Sequence, residues 1–174
     1  EDLLISDVGS HKMWIARNFP TRCPNGCLMS NGLASMGMAL PGGIAAALHS
    51  PNRRIVAAMG DGGFMMNSQE LETAKRLGVV FTVIIFNDND YGLISWKQQM
   101  SHGHSTGTRL TNPDFKKYAE SFGIRAFSPR NLQELRQQLP VALGCGELCV
   151  VDIQTDQSVN TDLIQKLKAE TRNN

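Results

Sequence analysis

Two aspartates and three glycines carry the chemistry for which this chain can be read. Asp61 lies in Gly60-Asp61-Gly62-Gly63, directly after the apolar run Ile55–Met59. Asp88 lies in Asn87-Asp88-Asn89-Asp90, directly after a second apolar run, Val80–Phe86. Each run has the length and composition of a buried strand, and each ends in polar residues. Gly60, Gly62 and Gly63 lack a Cβ, so backbone N–H groups there can approach an anion closely. A helix start just after them adds a partial positive charge. Two carboxylates beside a phosphate would repel it. A hard divalent cation removes that conflict, and Mg²⁺ binds through one or two carboxylates plus phosphate oxygens. The residues alone therefore read as a Mg²⁺–diphosphate site. Two ordinary turn aspartates would leave the pairing unexplained. A dinucleotide fingerprint fails because Met65 stands where its third glycine belongs.

These residues need elements to position them. Asn67–Leu77 predicts a helix between the two strands, with Asn67 as N-cap, Glu70 three residues on, and an apolar stripe of Leu71, Ala74 and Leu77. Glu70 and Glu72 read as first-turn helix charges. Strand, helix and strand in this order form a right-handed crossover, so the strands are parallel. Both aspartates then sit at carboxyl ends of strands, where open parallel sheets bind ligands.

The rest of the chain repeats the alternation. Leu3–Val8 predicts a first strand that runs out at Ser10 and His11, followed by a helix around Met13, Trp14 and Ala16-Arg17. A loop over Asn18–Asn25 leads to a short strand, Cys27–Ser30. A helix then runs through Leu48 with Pro41 early in it, where proline is tolerated, and His49–Arg54 is a turn. Met36 and Leu40 read as a helical pair. Gly92 opens a helix through Leu93, Ile94 and Trp96. Ser101–Thr108 reads as a mobile polar loop, an active-site lid or a plain surface loop; a metal pair of His102 and His104 is disfavoured. Asn112 and Pro113 predict a helix start, Phe115, Tyr118, Ala119 and Phe122 its apolar face, and Gly123 its end. A strand at Ile124–Phe127 follows. Asn131 with Glu134 caps a helix striped by Leu132, Leu135 and Leu139 and bent or ended at Pro140. Leu148–Ile153 is the last strand and Thr161–Lys168 a short helix before a frayed end. The expected fold class is α/β: one doubly wound domain over residues 1–174, with a mostly parallel sheet of about six strands and helices on both faces.

Composition narrows the partners. The chain has 174 residues, enough for one well-buried domain, with 41% apolar and 19% charged residues. A net charge of +1 gives no electrostatic case for nucleic acid or an anionic membrane surface. No apolar run is long enough to span a bilayer, and no signal peptide is visible, so the expected compartment is cytoplasmic. Cys23, Cys27, Cys145 and Cys149 form two C-x₃-C pairs. A zinc reading is disfavoured because Cys149 falls inside an apolar strand. The chain starts almost directly in a strand, which suggests a piece of a longer protein.

Gly60-Asp61-Gly62, followed after 24 residues by Asn87-Asp88, resembles the thiamine-diphosphate motif, which opens on glycine-aspartate-glycine and closes on paired asparagines. The offset 88 − 61 = 27 puts Asp88 where the family has its second asparagine, a metal ligand. The departure is Asp for Asn, which some catabolic-type acetolactate synthases share. The stretch Gly60–Gln98 resembles that group. The resemblance implies thiamine diphosphate and Mg²⁺ as cofactors, with FAD left open for the full-length enzyme. It implies Asp61, Asp88 and the backbone carbonyl of Asp90 as metal ligands. It places Ser10 and His11 at the diphosphate, backbone groups of Ala34 and Met38 at the pyrimidine ring, and Tyr91, Gly92 and Leu93 beside the cofactor. Met36, 25 positions before Asp61, falls where the family has an apolar prop that bends the cofactor into a V. Lys97 stands where biosynthetic members have a tryptophan that helps select the larger keto acid, and Trp96 precedes it.

The implied reaction is decarboxylation of a 2-keto acid such as pyruvate and condensation with a second one to give acetolactate. The alternatives are another thiamine-diphosphate-dependent lyase, decarboxylase or carboligase, or a non-catalytic regulatory module of the same fold. The family's catalytic glutamate belongs to a separate N-terminal, pyrimidine-binding domain, usually of a neighbouring subunit. The implied partners are thus that domain, a small keto acid and further copies in a homodimer or tetramer, with an apolar surface around Met36, Leu93 and Ile94 exposed when the domain is alone.

Overall fold

A computed structural model describes residues 2–156 and residue 160. The helix expected over 161–168 and the frayed end after it lie outside the described residues. In chain order the elements are β1 (Leu3–Ser6), α1 (Ser10–Asn18), β2 (Cys27–Met29), α2 (Ala39–His49), β3 (Ile55–Gly60), α3 (Asp61–Asn67), α4 (Glu70–Leu77), β4 (Thr82–Asn87), α5 (Gly92–His102), α6 (Phe115–Ser121), β5 (Arg125–Phe127), α7 (Leu132–Gly144) and β6 (Cys149–Gln154). The strands form one sheet in the order β2-β1-β3-β4-β6-β5, every neighbouring pair parallel. The expected six strands are present, and the sheet is wholly rather than mostly parallel.

Side chains alternate between the two faces. Ile5, Ala57, Met59, Val83, Ile85 and Val150 meet Leu40 and Ile44 of α2, Leu71 and Ala74 of α4, and Phe115 and Ala119 of α6 in the main core. On the other face Val151 and Cys149 pack on Ala142 of α7. His11 and Trp14 of α1 meet Phe86 there, at ring-centroid distances of 5.5 and 6.0 Å. Strands buried on both faces read as near-continuous apolar runs, which is why β3 and β4 were legible.

From β1 the chain winds outward to β2, then returns across β1 to β3 and continues through β4 in the opposite direction. The winding reverses between β1 and β3. Strands diverge from such a point with their loops on opposite sides, leaving a crevice beyond their carboxyl ends.

Five local expectations are corrected. The glycine run after β3 is itself helical. Asp61 opens α3, a break follows at Ser68-Gln69, and α4 begins at Glu70. Asn67 caps nothing: it ends α3, and its Nδ2 donates to the Gly37 carbonyl at 2.7 Å. The N-cap of α6 is Asp114, which accepts from Lys117 N–H at 3.0 Å, because the Asn112 side chain is turned toward Asp61. Met36 lies in the turn before α2, so it forms no helical pair with Leu40. Pro140 does not end α7, which runs on to Gly144. The capping box of α7 is as expected, Asn131 Oδ1 accepting from Glu134 N–H and Glu134 Oε2 from Arg130 N–H, both at 2.9 Å.

Candidate functional site

A cleft of about 170 Å³ lies at the carboxyl ends of β1, β3 and β4. Its walls are the turn after β1 (Val8–His11), the turn before α2 (Ala34, Met36), the start of α3 (Gly60–Gly63) and the turn after β4 (Asp88–Leu93). Trp14, Phe86, Ile94 and Thr155 complete the lining. The starts of α1, α3 and α5 all open onto it, and free N–H groups at helix starts favour negative charge.

The first wall depends on Asp7, which is fully buried at the end of β1. Its Oδ2 accepts from Gly37 N–H at 2.8 Å and its Oδ1 from Met38 N–H at 3.1 Å. Burial pushes the Asp7 carboxyl up from its ordinary value, while these backbone donors pull it down. The bonds draw the turn before α2 against β1. That turn has Ala34 at φ 49 and Gly37 at φ 83. A left-handed alanine is strained, and such strain gathers at binding sites. Gly63 is glycine because a Cβ there would collide with the Asp7 carboxylate, and at Gly62 it would lie 2.6 Å from the Tyr91 ring.

His11 is buried beneath this wall, stacked on Phe86. Burial drives its pKa down to about 4, against a stabilising bond to the Asp7 backbone. Its Nε2 has no hydrogen-bond partner. A buried polar atom without a partner beside a cleft is a place for a ligand atom.

The second wall carries the acids. Asp61 is buried, and its Oδ1 accepts from Gly62 N–H at 2.9 Å. Asp88 Oδ1 accepts from Asp90 N–H at 3.1 Å. Burial first and the neighbouring Asp61 second raise the Asp88 carboxyl to about 7. Asp90 is buried with its Oδ1 unpartnered, and Arg109 Nε lies 4.0 Å from its Oδ2. Among the described residues no cluster of three or more His, Cys, Asp or Glu side chains is placed to hold a metal. The set expected from the motif uses two carboxylates and one carbonyl, so it falls outside that description. Its chemistry fits a hard cation: anionic oxygens crowded until one holds its proton near neutrality.

Thirteen of the expected site residues line this cleft: Ser10, His11, Ala34, Met36, Gly60, Asp61, Gly62, Gly63, Asp88, Asp90, Tyr91, Gly92 and Leu93. Met38 stands apart. It lines a different hollow beside Leu3, Ile5 and Gly42, its N–H goes to Asp7, and its carbonyl accepts from Gly42 N–H at 2.9 Å. Residues that pattern reading did not single out also meet here. Asp7 resembles any strand-end turn aspartate. Asn112 resembles a helix cap, yet its Nδ2 donates to Asp61 Oδ2 at 2.6 Å. Phe86 is the polar-end neighbour of a strand, and nothing in its type announces a stacked histidine. In the lining, Ile94 is exposed and Met36 and Leu93 are half-buried.

A parallel sheet whose switch-point cleft gathers helix starts, tight glycines and paired carboxylates defines a nucleotide- or diphosphate-binding α/β domain. Residues 7–153 match the model of the thiamine pyrophosphate enzyme, C-terminal TPP binding domain, and the chain belongs to that family. It is 34% identical over 157 residues to the acetolactate synthase of Bacillus subtilis (strain 168), covering 90% of this chain and 28% of that protein. It is 37% identical over 164 residues to the catabolic acetolactate synthase of Raoultella terrigena, covering 94% and 29%. A putative thiamine pyrophosphate-containing protein of B. subtilis, YdaP, is 37% identical over 154 residues, covering 88% and 27%. The chain thus spans under a third of the length of these relatives.

Proposed function

We propose that this domain holds the diphosphate and Mg²⁺ of thiamine diphosphate in an acetolactate synthase, which decarboxylates pyruvate and joins the product to a second 2-keto acid. The observation that carries the reading is that Asp61 and Asp88 line one cleft, close enough that Asp61 helps raise the carboxyl of Asp88. In this assignment the Asp61 and Asp88 carboxylates and the Asp90 carbonyl hold Mg²⁺. The helix starts at Ser10-His11 and Gly60–Gly63 receive the diphosphate, where His11 Nε2 gains a partner. Ala34 and Met36 meet the rings, with Met36 as the prop. A ring contact at Met38 would use the second lone pair of its carbonyl. Tyr91, Gly92 and Leu93 close the far wall. When bound, the cofactor would supply a carbon nucleophile and an electron sink for the bonding pair left on the former carbonyl carbon as CO₂ departs. This chain's residues orient it and exclude water.

The apolar rim around Met36, Leu93 and Ile94 fits burial against the N-terminal domain that carries the catalytic glutamate. Product analysis of the full-length protein with pyruvate, Mg²⁺ and thiamine diphosphate tests the assignment, and acetolactate is the expected product. A different product from pyruvate, or none, with Mg²⁺-dependent cofactor binding intact would move the protein to another thiamine-diphosphate lyase or carboligase. YdaP, as similar to this chain as the synthases are, carries only the description of containing thiamine pyrophosphate and fits either reading.

A further inference from the structure

Resting on the Mg²⁺–diphosphate reading, we propose that Asn112 is a positioning residue for the metal. It aims the Asp61 carboxylate and, with the strap Thr108–Asn112, fixes the turn that presents Asp88 and the Asp90 carbonyl.

One amide nitrogen joins the pieces. Asn112 Nδ2 lies 2.6 Å from Asp61 Oδ2, 3.2 Å from Asn87 Oδ1 and 3.2 Å from Asn89 Oδ1. The surroundings set which end of the amide points inward. Asn87 donates its own Nδ2 to buried Asp152 at 3.0 Å, so its Oδ1 must face Asn112. With three oxygens facing it, Asn112 presents nitrogen. An amide NH₂ offers two hydrogens and no positive charge. It can therefore orient a carboxylate without neutralising it, and it adds no counter-charge of its own. Asp61 is held at both oxygens, Oδ1 by Gly62 N–H and Oδ2 by Asn112.

The strap extends the same function to the turn after β4. Thr108 is buried, and its carbonyl accepts from Tyr91 N–H at 2.9 Å. Leu110 N–H donates to the Asn89 carbonyl at 2.9 Å, and Arg109 bridges Asp90 in antiparallel fashion. Residues 89–91, between Asp88 and α5, are thus tied at successive backbone positions to 108–110. The strap, the end of β3 and the end of β4 converge on Asn112. Mg²⁺ demands near-ideal octahedral geometry, whereas Ca²⁺ accepts more ligands in looser arrangements. A loosened carboxylate should cost the smaller ion more.

The test titrates Mg²⁺ and Ca²⁺ into the full-length protein at fixed thiamine diphosphate, for the natural sequence, Asn112→Ala and Asp61→Ala. Asn112→Ala should weaken Mg²⁺ by about 10- to 100-fold, the range for losing an outer partner of a metal ligand. It should weaken Ca²⁺ by a smaller factor, so the Mg²⁺/Ca²⁺ ratio shifts. An unchanged ratio overturns the proposal, even if the melting temperature in EDTA falls, because a purely structural anchor for α6 would lower stability alone. If Asn112→Ala does not fold, Asn112→Gln keeps the amide one methylene away. It should move the ratio in the same direction by less, and an unchanged ratio there also overturns it. Asp61→Ala separates the two levels. Natural Mg²⁺ affinity in that variant would defeat the metal site itself, whereas loss in Asp61→Ala with none in Asn112→Ala defeats only the positioning role.

Discussion

Asp61 and Asp88 differ in what each gives a cation. Asp61→Ala removes a buried charge and should abolish Mg²⁺-dependent cofactor binding. Asp88→Asn keeps a ligand oxygen and relieves the repulsion between the acids, so calorimetry should show a mild effect; equal, large losses would contradict the assignment. Because Asp88 holds its proton up to about 7, Mg²⁺ must displace that proton. Affinity should climb with pH until about 7 and then level, and in Asp88→Asn this slope should vanish. His11 titrates with the opposite consequence for stability. Its folded value, about 4, lies below the ordinary 6.5, so between these values the unfolded chain takes up a proton that the folded one refuses. Stability from this group is complete above 6.5 and falls as pH drops toward 4, by as much as about 3 kcal/mol. Urea midpoints in EDTA for the natural sequence and His11→Asn should converge, or cross, on going from pH 7 to pH 4.5. A constant difference would sink this account. At this scale Asp61, Asp88 and the glycines were legible because their spacing is set by the crossover that links them. Asn112 was not, because an asparagine before Pro-Asp satisfies the pattern of a cap, and only the folded chain shows that Asp114 takes that part.

Elements hold these residues by close approach, and glycine positions show it. In Gly63→Ala the new methyl would meet the Asp7 carboxylate, which bonds two backbone N–H groups and is not free to retreat. Either α3 shifts or the turn before α2 is released, and both open the cleft. The variant should lose several kcal/mol of stability, in the range of overpacking a tight site or worse, with cofactor affinity falling in parallel. Normal thermal stability would show that the turn adapts. Phe64, next in sequence, is fully buried edge-on to Phe115 at 5.2 Å. Phe64→Ala should cost about 3–5 kcal/mol and loosen the same helix without touching the cleft. Strands and the long helices were readable from periodicity. The start of α3 was not, since Gly62 and Gly63 are poor helix formers by propensity and are glycine here because Tyr91 and Asp7 occupy the space beside them.

As a whole molecule, the domain in the proposed function contributes the diphosphate half of a site completed by another domain. Met36→Ala in the full-length protein should reduce turnover more than cofactor affinity, since the acids and helix starts that hold the diphosphate lie elsewhere. Collapse of affinity with turnover kept would refute the prop. The isolated 174-residue chain should release no CO₂ from pyruvate, because the proposed function takes its catalytic glutamate from another domain, while Glu70 and Glu72 lie in the first turn of α4 and do not line the cleft. CO₂ release near the rate of the full-length protein would show that the domain is self-sufficient.

The two outermost strands, β2 and β5, are three residues long. A sheet invites trouble at its margins, where unpaired backbone groups can template a foreign strand and seed fibres. Here each margin offers hardly more than one repeat of such a template, while the long strands lie inside. Crowding this domain with copies of itself should therefore favour docking through its mouth over growth by strand addition, and its aggregates, when forced, should begin from unfolded chains rather than from folded neighbours joined edge to edge.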